Sequence, residues 1–174
     1  MAPRRRMTVA LAAHVISDFD GTLVRLDVDW AALRRELAVD RVQQLWEPQN
    51  MHKWEIVAAA ETRAASSSPT VESMLRALET SRAVAILTNN AEAAVHEFLA
   101  REPALAAKVC AVIGRETLGG PKTDFEFFRS GYAACCDALG NPETLSYVGD
   151  MRYELDFARR LGASAFDVSE TGAR

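Results

Sequence analysis

Residues 15–24 read Val-Ile-Ser-Asp-Phe-Asp-Gly-Thr-Leu-Val, and this stretch decides the fold. The apolar residues at its start predict the end of a buried strand, which leads directly to Asp18 and Asp20. Side chains two positions apart in an extended chain point to the same side, so we expect both carboxylates on one side. Gly21 predicts a turn immediately after them. Two acids at the end of a strand, before a glycine turn, are suited to bind a divalent cation.

The size and composition are those of an ordinary globular protein. The chain has 174 residues, of which 49% are hydrophobic and 25% charged, enough for one domain or for one core with a small insert. The net charge of -4 does not favour nucleic acid or an anionic membrane as a partner. No apolar stretch reaches the ~18 residues that a membrane-spanning helix needs.

The cysteines predict free thiols. Cys110, Cys135 and Cys136 are odd in number, the last two are adjacent, and neither a C-x-x-C motif nor a zinc-binding spacing is present. We therefore expect buried thiols in a reducing compartment and a cytoplasmic protein.

The amino terminus has some features of a signal peptide. Three arginines at 4–6 precede a short apolar run, as in a secretory leader. The run continues straight into Asp18, so cleavage after Ala13 would remove most of the strand that carries the motif. We interpret residues 1–7 as a tail and residues 9–17 as a buried strand.

Further apolar runs and helical periodicities alternate along the chain. The runs predict buried strands at 83–87, 109–113, 145–148 and 163–168. The periodicities predict helices at 91–101, 123–139 and 152–161, the first with Asn90 as its N-cap. Alternating strands and helices are typical of an α/β fold, here a Rossmann-like parallel sheet in three layers. Ligands bind such sheets at the carboxyl ends of the strands.

The segment between the first two strands is too long for a single crossover. It predicts helices at 29–46, 51–65 and 70–80, with a break at 66–69 and Pro69 at the start of the third. We interpret the third helix as the crossover and the first two as a small helical insert. The predicted domains are an α/β core of residues 8–23 and 67–174 and an insert of residues 24–66.

All three tryptophans lie in this insert, at positions 30, 46 and 54. We interpret them mainly as packing residues of a segment with little core of its own, with substrate contact as the alternative. Substrate specificity is expected to come from the insert, with Arg25, Arg34, Arg35, Trp30 and Trp54 as candidates.

The two acids of the opening motif are suited to phosphoryl transfer. The Asp18 carboxylate could attack phosphorus and form an aspartyl phosphate, while Asp20 protonates the leaving oxygen and then activates water. A phosphate dianion would be repelled by Asp18, so a cation is needed between them, and Mg²⁺ suits carboxylate and phosphate oxygens. The alternative is an ordinary acidic turn.

Polar residues follow the other strands. The Thr88 hydroxyl and the Asn89 N–H could hold a phosphate oxygen, or Thr88 and Asn90 could only cap the next helix. Lys122, one of three lysines, follows a Gly-Gly-Pro turn and could reach Asp18 and the phosphate, unless it is a surface lysine.

Acids also follow the fourth predicted strand. Asp150 is suited to bind the cation from the side opposite Asp20. Glu154 lies one helical turn further and could support the cation through water or a hydrogen bond. The alternative is that these residues and Asp156 are exposed acids at a helix start, where the helix dipole favours them.

The order of these features resembles the haloacid dehalogenase (HAD) superfamily, mostly phosphate-ester hydrolases, over residues 15–169. The resemblance implies that Asp18 is the nucleophile and Asp20 the general acid and base. It implies Thr88 and Lys122 as phosphate ligands, and we add Gly21 and Asn89 as phosphate contacts. It further implies Mg²⁺ bound by Asp18, Asp150 and the backbone carbonyl of Asp20, with Glu154 behind them.

Two shorter segments narrow the resemblance. Residues 87–90, Leu-Thr-Asn-Asn, and residues 112–116, Val-Ile-Gly-Arg-Glu, are similar to the phosphoglycolate-phosphatase-like branch. The helical insert follows the first motif, where that branch has its cap.

The sequence departs from the family pattern at three places. Thr123 follows Lys122 where the family usually has proline, Met151 follows Asp150 where it usually has serine, and Glu154 replaces an aspartate. The insert is also short for a full cap, which predicts an open site or a cover from a partner subunit.

These features predict a Mg²⁺-dependent phosphatase that hydrolyses a small phosphorylated metabolite. A phosphomutase would use the same residues. A dehalogenase is less favoured, because carbon–halogen displacement does not require the acid at Asp20. A non-catalytic binding or regulatory protein with this fold is the alternative outside enzymes. The sequence does not determine the substrate or the oligomeric state.

Overall fold

The computed structural model describes residues 10–171 and contains a parallel sheet. Its strands are β1 (His14–Ser17), β2 (Ala83–Leu87), β3 (Val109–Ile113), β4 (Ser146–Gly149) and β5 (Ser164–Asp167). They pair in the order β3-β2-β1-β4-β5, and every pair is parallel. The predicted α/β class is therefore confirmed.

Helices connect the strands. They are α1 (Trp30–Glu36), α2 (Trp54–Ala65), α3 (Glu72–Leu78), α4 (Glu92–Arg101), α5 (Pro103–Ala106), α6 (Arg115–Leu118), α7 (Phe125–Ala138) and α8 (Arg152–Arg160), with short 3-10 helices at Val42–Trp46, Pro48–Lys53 and Val168–Thr171. The sequence did not predict the one-turn helices α5 and α6. Within residues 10–171, no helix has both the length and the apolar character needed to cross a bilayer.

The core consists of two apolar layers, one on each face of the sheet. Val15 of β1 belongs to the layer with Met74 of α3 and Phe98 of α4, whereas Ile16 belongs to the layer with Phe128 of α7. All five side chains are fully buried. Burial of each contributes about 1.5–3 kcal/mol, so the alternation along β1 fixes helices on both faces.

The first strand is shorter than predicted. The expectation was residues 9–17, but β1 begins at His14, and residue 9 and the tail at 1–7 lie outside the described residues. Residues 10–13 form no strand, although the Ala13 carbonyl accepts from the Arg82 N–H at 2.7 Å and from the Ala83 N–H at 3.2 Å. The Ala12 N–H donates to Ser146 Oγ at 2.8 Å. The other four predicted strands differ from the observed ones by at most one residue at either end.

The prediction of one helix over 29–46 is wrong. Helix α1 ends at Glu36 and Ala38 takes a φ of 51°, which no α-helix accommodates, before the 3-10 helix at Val42–Trp46. The apolar periodicity was nevertheless meaningful. Leu33, Leu37 and Leu45 are all buried in one small cluster together with Val57 of α2.

The two ends of the insert are paired with each other. The Arg25 N–H donates to the Pro69 carbonyl at 3.0 Å, and the Val71 N–H donates to the Leu23 carbonyl at 2.9 Å. Pro69 therefore lies in this pairing, and its predicted position at the start of a helix is wrong because α3 begins at Glu72. The division into core and insert stays a prediction.

The strand order reverses beside β1. The chain adds β2 and β3 on one side of β1 and then returns to its other side with β4 and β5. The connections after β1 and β4 diverge at this point, which leaves a crevice at the carboxyl edge of the sheet. Asp18 directly follows β1 and Asp150 directly follows β4, so the topology alone brings both carboxylates to this crevice.

Candidate active site

A cleft of about 310 Å³ lies at the carboxyl edge of the sheet, against the insert. Its lining includes every predicted site residue except Gly21, namely Asp18, Asp20, Thr88, Asn89, Lys122, Asp150 and Glu154. Residues that lie up to 136 positions apart in the sequence are thus brought to one cavity by the parallel strands.

Lys122 is buried against Asp18. Its Nζ lies 2.5 Å from Asp18 Oδ1 and 2.8 Å from Glu154 Oε1, and it also donates to the Leu87 carbonyl at 3.1 Å. Only 1% of the residue is exposed, so the alternative of a surface lysine is wrong. Burial alone would lower the pKa of Lys122, but the carboxylates of Asp18 and Glu154 outweigh it and raise that pKa above its ordinary value. Lys122 therefore carries a fixed positive charge beside Asp18.

The turn before Lys122 explains how the lysine reaches the site. Gly119 has a φ of 68°, a conformation that a side chain would strain. At Gly120 a Cβ would lie 2.3 Å from the ring of Phe127, so any other residue there would force this ring to move. The Lys122 N–H then donates to Asn89 Oδ1 at 2.7 Å, which fixes the turn to the loop after β2.

Three carboxylates converge next to the lysine. Oxygens of Asp18, Asp150 and Glu154 all lie within 4.8 Å of one another. Gly21 makes room for this arrangement, because a Cβ there would lie 2.2 Å from Asp150 Oδ2. Burial and the nearby Asp18 raise the pKa of Asp150. Carboxylate oxygens at this spacing are the hard ligands that Mg²⁺ prefers, so the residues fit such a cation.

Gly21 itself uses its backbone in the turn. Its φ is 81° and its N–H donates to the Val24 carbonyl at 2.8 Å. The left-handed conformation favours glycine at this position. Its predicted contact with phosphate stays a prediction.

Glu154 is a buried partner of Lys122 rather than an exposed acid. It is 2% exposed, and Oε1 accepts a hydrogen bond from the Tyr153 hydroxyl at 3.1 Å while Oε2 accepts one from Tyr147 at 3.0 Å. Asp156, by contrast, has a side chain that is 59% exposed and pairs with Arg159. Burial and the charge of Asp18 raise the pKa of Glu154. Since both of its oxygens already hold protein donors, Glu154 is suited to support Lys122.

Asp20 points to the same cleft but is held differently. Its Oδ1 accepts a hydrogen bond from the Leu26 N–H at 2.9 Å. Burial, together with the charges of Asp18 and Asp150, raises its pKa to about 6, although the bond from Leu26 opposes the shift. A carboxyl group with such a pKa can give and take a proton near neutral pH.

The loop after β2 differs from the predicted helix cap. The Thr88 hydroxyl donates to Asn90 Oδ1 at 2.8 Å and accepts from the Asn90 N–H at 3.1 Å. Helix α4 begins only at Glu92 and has Ala91 at its N-cap position, so the prediction of Asn90 as N-cap is wrong. The Asn90 side chain is engaged elsewhere, with Thr88 and with Glu61.

Glu61, on α2 of the insert, supplies a carboxylate at the start of α4 in place of the predicted Asn90 cap. One of its oxygens, Oε2, accepts from the Ala91 N–H at 2.9 Å, and Oε1 accepts from Asn90 Nδ2 at 2.9 Å. Arg115 of α6 donates to both oxygens, at 3.0 and 3.2 Å. Arg115 also donates to the Asn89 carbonyl at 3.2 Å and lies 4.2 Å from the ring centre of Trp54. The insert is thus tied to the loop that carries Thr88.

No role was assigned from the sequence to Glu61, Tyr147 or Tyr153. Arg115 was included only as part of the segment 112–116. Glu61 stands in a helical segment among alanines, where acids are normally exposed, and Tyr147 stands in a strand as an ordinary core aromatic. Only the long-range contacts distinguish them. No local signal could have found these residues.

The tryptophans pack within the insert, as predicted, and also line the cleft, while their contact with substrate stays a prediction. Trp30 and Trp54 pack against the insert cluster of Leu33, Leu37, Leu45 and Val57. Trp30, Trp46 and Trp54 also line the cleft, with the rings of Trp46 and Trp54 4.9 Å apart. Within the described part of the chain, the candidate arginines at 25, 34 and 35 do not line this cleft, and their role in specificity stays a prediction.

Solved structures identify this architecture. A "putative phosphoglycolate phosphatase" from Lactobacillus plantarum superposes with a TM-score of 0.64 at 12% identity, over 94% of this chain and 89% of that one. The L-2-haloacid dehalogenase from Xanthobacter autotrophicus gives 0.58 at 17% identity, over 89% and 76%. The chain has the haloacid dehalogenase fold.

A third structure with the HAD fold was determined with a metal. It is a "putative HAD-hydrolase" from Bacillus subtilis bound to magnesium, with a TM-score of 0.56 at 13% identity, over 87% of this chain and 86% of that one. The sequence itself matches no protein-family model and no curated protein. At these identities the likeness establishes the fold, while the chemistry depends on the site residues of this chain.

Proposed function

We propose that this chain is a Mg²⁺-dependent phosphatase that hydrolyses a small phosphate monoester through an aspartyl phosphate. The observation that carries the proposal is the contact between Asp18 and Lys122, whose Oδ1 and Nζ atoms lie 2.5 Å apart, with the Asp150 carboxylate beside them. A nucleophile and a second acid at the ends of the adjacent strands β1 and β4, with a fixed cation from the turn before α7, form the set that phosphoryl transfer needs.

Each step can be assigned to a residue of this chain. The Asp18 carboxylate attacks phosphorus, the bond from phosphorus to the ester oxygen breaks, and Asp20 gives its proton to the leaving alcohol. Water then attacks the aspartyl phosphate, Asp20 takes up its proton, and inorganic phosphate leaves with Asp18 restored. The fixed charge of Lys122 beside Asp18 opposes the negative charge of the phosphate. The Thr88 hydroxyl would donate to a phosphate oxygen after turning away from Asn90 Oδ1.

The cation would be held by the carboxylates of Asp18 and Asp150, with the Asp20 carbonyl as a further ligand. When bound, Mg²⁺ neutralises the repulsion between the acids and the phosphate dianion. The close approach of these carboxylates supports this, because Lys122 contacts Asp18 and Glu154 but no ion pair joins it to Asp150, the third acid of the cluster. A neighbour with the HAD fold bound to magnesium is consistent with it.

Two other reactions share parts of this site. A dehalogenase would use Asp18 to attack carbon, and some neighbours are dehalogenases. Asp20 favours the phosphatase, because its carboxyl group lines the cleft with a pKa near neutral and a halide leaving group needs no proton. A phosphomutase would differ only in the acceptor of the phosphoryl group.

The partner we propose is a small phosphorylated metabolite rather than nucleic acid or a membrane. The net charge of -4 opposes anionic surfaces, and the cleft has the size of a small-molecule site. We propose a cytoplasmic location, since Cys110, Cys135 and Cys136 are all free thiols, which suits a reducing compartment. Only Cys135 is buried, so the expectation that all three thiols are buried is wrong.

Release of inorganic phosphate from para-nitrophenyl phosphate tests the proposal. We expect turnover that EDTA abolishes and added Mg²⁺ restores. Asp18→Asn should lose turnover, because an amide cannot act as the nucleophile, whereas the matched variant Asp137→Asn, at an exposed position on α7, should keep it.

Three outcomes would contradict parts of this proposal. Substantial activity in Asp18→Asn would remove the nucleophile. Chloride release from 2-chloropropionate without phosphatase activity would favour a dehalogenase. Wild-type protein that is inactive towards every phosphate ester and every halide would favour a non-catalytic binding protein.

A further inference from the structure

We propose that the group released from the phosphate is uncharged and apolar, with an aromatic ring as its best form, and not a carboxylate such as glycolate. This inference rests on the proposed phosphatase activity and concerns the part of the cleft beyond the phosphate. It follows from the walls of the cleft, from the state of its cationic side chains and from its overall charge.

The insert supplies an aromatic wall to the cleft. Trp30, Trp46 and Trp54 all line it, and the rings of Trp46 and Trp54 are tilted by 58° with their centres 4.9 Å apart. Such rings provide large and rigid contact area at low entropic cost. An apolar or aromatic group gains most from this wall.

The cationic side chains of the cleft are already paired. Within residues 10–171 the lining holds two, Arg115 and Lys122. The guanidinium of Arg115 donates to both oxygens of Glu61, and the ammonium of Lys122 contacts Asp18 and Glu154. Neither pair can open cheaply, because each is almost fully buried. A carboxylate on the leaving group would find no free cation here.

The remaining charge of the cleft also opposes an anion. Five carboxyl groups line it, those of Asp18, Asp20, Glu61, Asp150 and Glu154. When Asp20 holds the proton for the leaving group, four negative charges still face the two cations. A bound Mg²⁺ and the phosphate dianion cancel each other in charge, so the excess of negative charge persists in the loaded site. A carboxylate on the leaving group would therefore be repelled.

A cationic leaving group would be attracted by the negative charge of the cleft, but less of the aromatic wall is free for it to contact. The guanidinium of Arg115 already lies 4.2 Å from the ring centre of Trp54 and occupies one face of it. A second cation near that ring would also meet the charge of Arg115. An uncharged group avoids both this repulsion and that of the carboxylates.

Substrates with similar alcohol leaving groups test the inference. Benzyl phosphate releases an uncharged aromatic alcohol, 2-phosphoglycolate an anionic one and phosphocholine a cationic one. Turnover of para-nitrophenyl phosphate reports whether the protein has phosphatase activity at all. We expect kcat/KM for benzyl phosphate to exceed that for 2-phosphoglycolate at least about tenfold.

Two insert variants address the cause of this preference. Trp46→Ala should lower kcat/KM for benzyl phosphate more than for ethyl phosphate, which is too small to use the wall. Gln43→Arg, at an exposed position that lines the cleft, should raise the relative rate with 2-phosphoglycolate by adding a free cation. Gln49→Arg is the matched control, since Gln49 is exposed in the same insert and lies outside the lining.

The outcomes separate this inference from the proposed function. Preference for 2-phosphoglycolate or for phosphocholine, with normal turnover of para-nitrophenyl phosphate, would overturn the inference and leave the phosphatase standing. An unchanged benzyl-to-ethyl ratio in folded Trp46→Ala would remove the aromatic wall as its cause. Wild-type protein inactive towards all these esters would overturn the proposed function and the inference with it.

Discussion

Glu61 of the insert and Arg115 of the core form a buried ion pair, with Oε2 and Nη2 3.0 Å apart. The side chains are 2% and 4% exposed, and the pair lies directly behind the loop that carries Thr88 and Asn89. The insert is therefore joined to the core by polar contacts as well as by apolar packing. These contacts connect the aromatic wall of the cleft to its phosphate end.

Removal of one partner from this pair should destabilise the fold strongly. In Glu61→Ala, the Arg115 charge stays buried without its anion, and Asn90 and the Ala91 N–H lose their acceptor. We expect the free energy of unfolding to fall by about 3–5 kcal/mol, measured by urea denaturation. The double variant with Arg115→Ala should lose less than the sum of the two single variants.

A surface pair provides the control for that experiment. Glu126 and Arg129 lie 2.5 Å apart on α7, but their side chains are 68% and 59% exposed. Arg129→Ala should cost at most about 1 kcal/mol because water screens the charges. A cost of Glu61→Ala as small as that of Arg129→Ala would contradict a role for the pair in holding the insert.

Gly21→Ala should damage the site more than the fold. Both Gly21 and Gly140 have φ near 80°, so alanine at either position should cost about 1–2 kcal/mol of stability. Only at position 21 does the new Cβ meet a site residue, since it would lie 2.2 Å from Asp150 Oδ2, whereas at Gly140 nothing lies within 4 Å. We expect Gly21→Ala to lose most of its phosphatase kcat/KM and Gly140→Ala to keep it. Equal activity in the two folded variants would speak against this contact.

The comparison of these glycines shows what the sequence can and cannot predict. Short apolar runs ending in polar residues predicted the strands well, because a buried parallel strand has few other forms. The strand ends then placed Asp18, Thr88 and Asp150 at one edge. Gly21 was predicted as part of a turn, but the room it leaves for Asp150 depends on β4, far away in the sequence.

The insert was predicted less well for a physical reason. The periodicity of Leu33, Leu37 and Leu45 correctly reported one buried cluster but not the path of the chain between them. At Ala38 the chain leaves the helix with a positive φ, which alanine rarely adopts and which no local signal announced. Glu61 was missed for a related reason, since its partners come from other elements of the fold.

Glu154→Gln should lower activity whereas Asp156→Asn should not. Glu154 contacts the Lys122 ammonium at 2.8 Å, and the amide keeps its size but removes its charge and one acceptor oxygen. With a less firmly held Lys122, we expect kcat to fall about 10–100-fold. Asp156 is two residues away on the same helix but exposed, and so serves as the matched control. Equal kcat in the two variants would show that Lys122 does not depend on Glu154.

Magnesium should stabilise the folded protein, and Asp150 should be required for this effect. A ligand that binds only the native state adds about 2.7 kcal/mol when its concentration is a hundred times Kd. We therefore expect Mg²⁺ to raise Tm for the wild type and for Asp156→Asn. In Asp150→Asn the shift should disappear, because the amide lacks the negative charge that attracts the cation at the carboxyl edge of β4. The measurement needs no substrate, so it tests the cation site independently of turnover. A full Tm shift in Asp150→Asn would show that the cation binds elsewhere, because Asp18 without Asp150 should not hold it firmly.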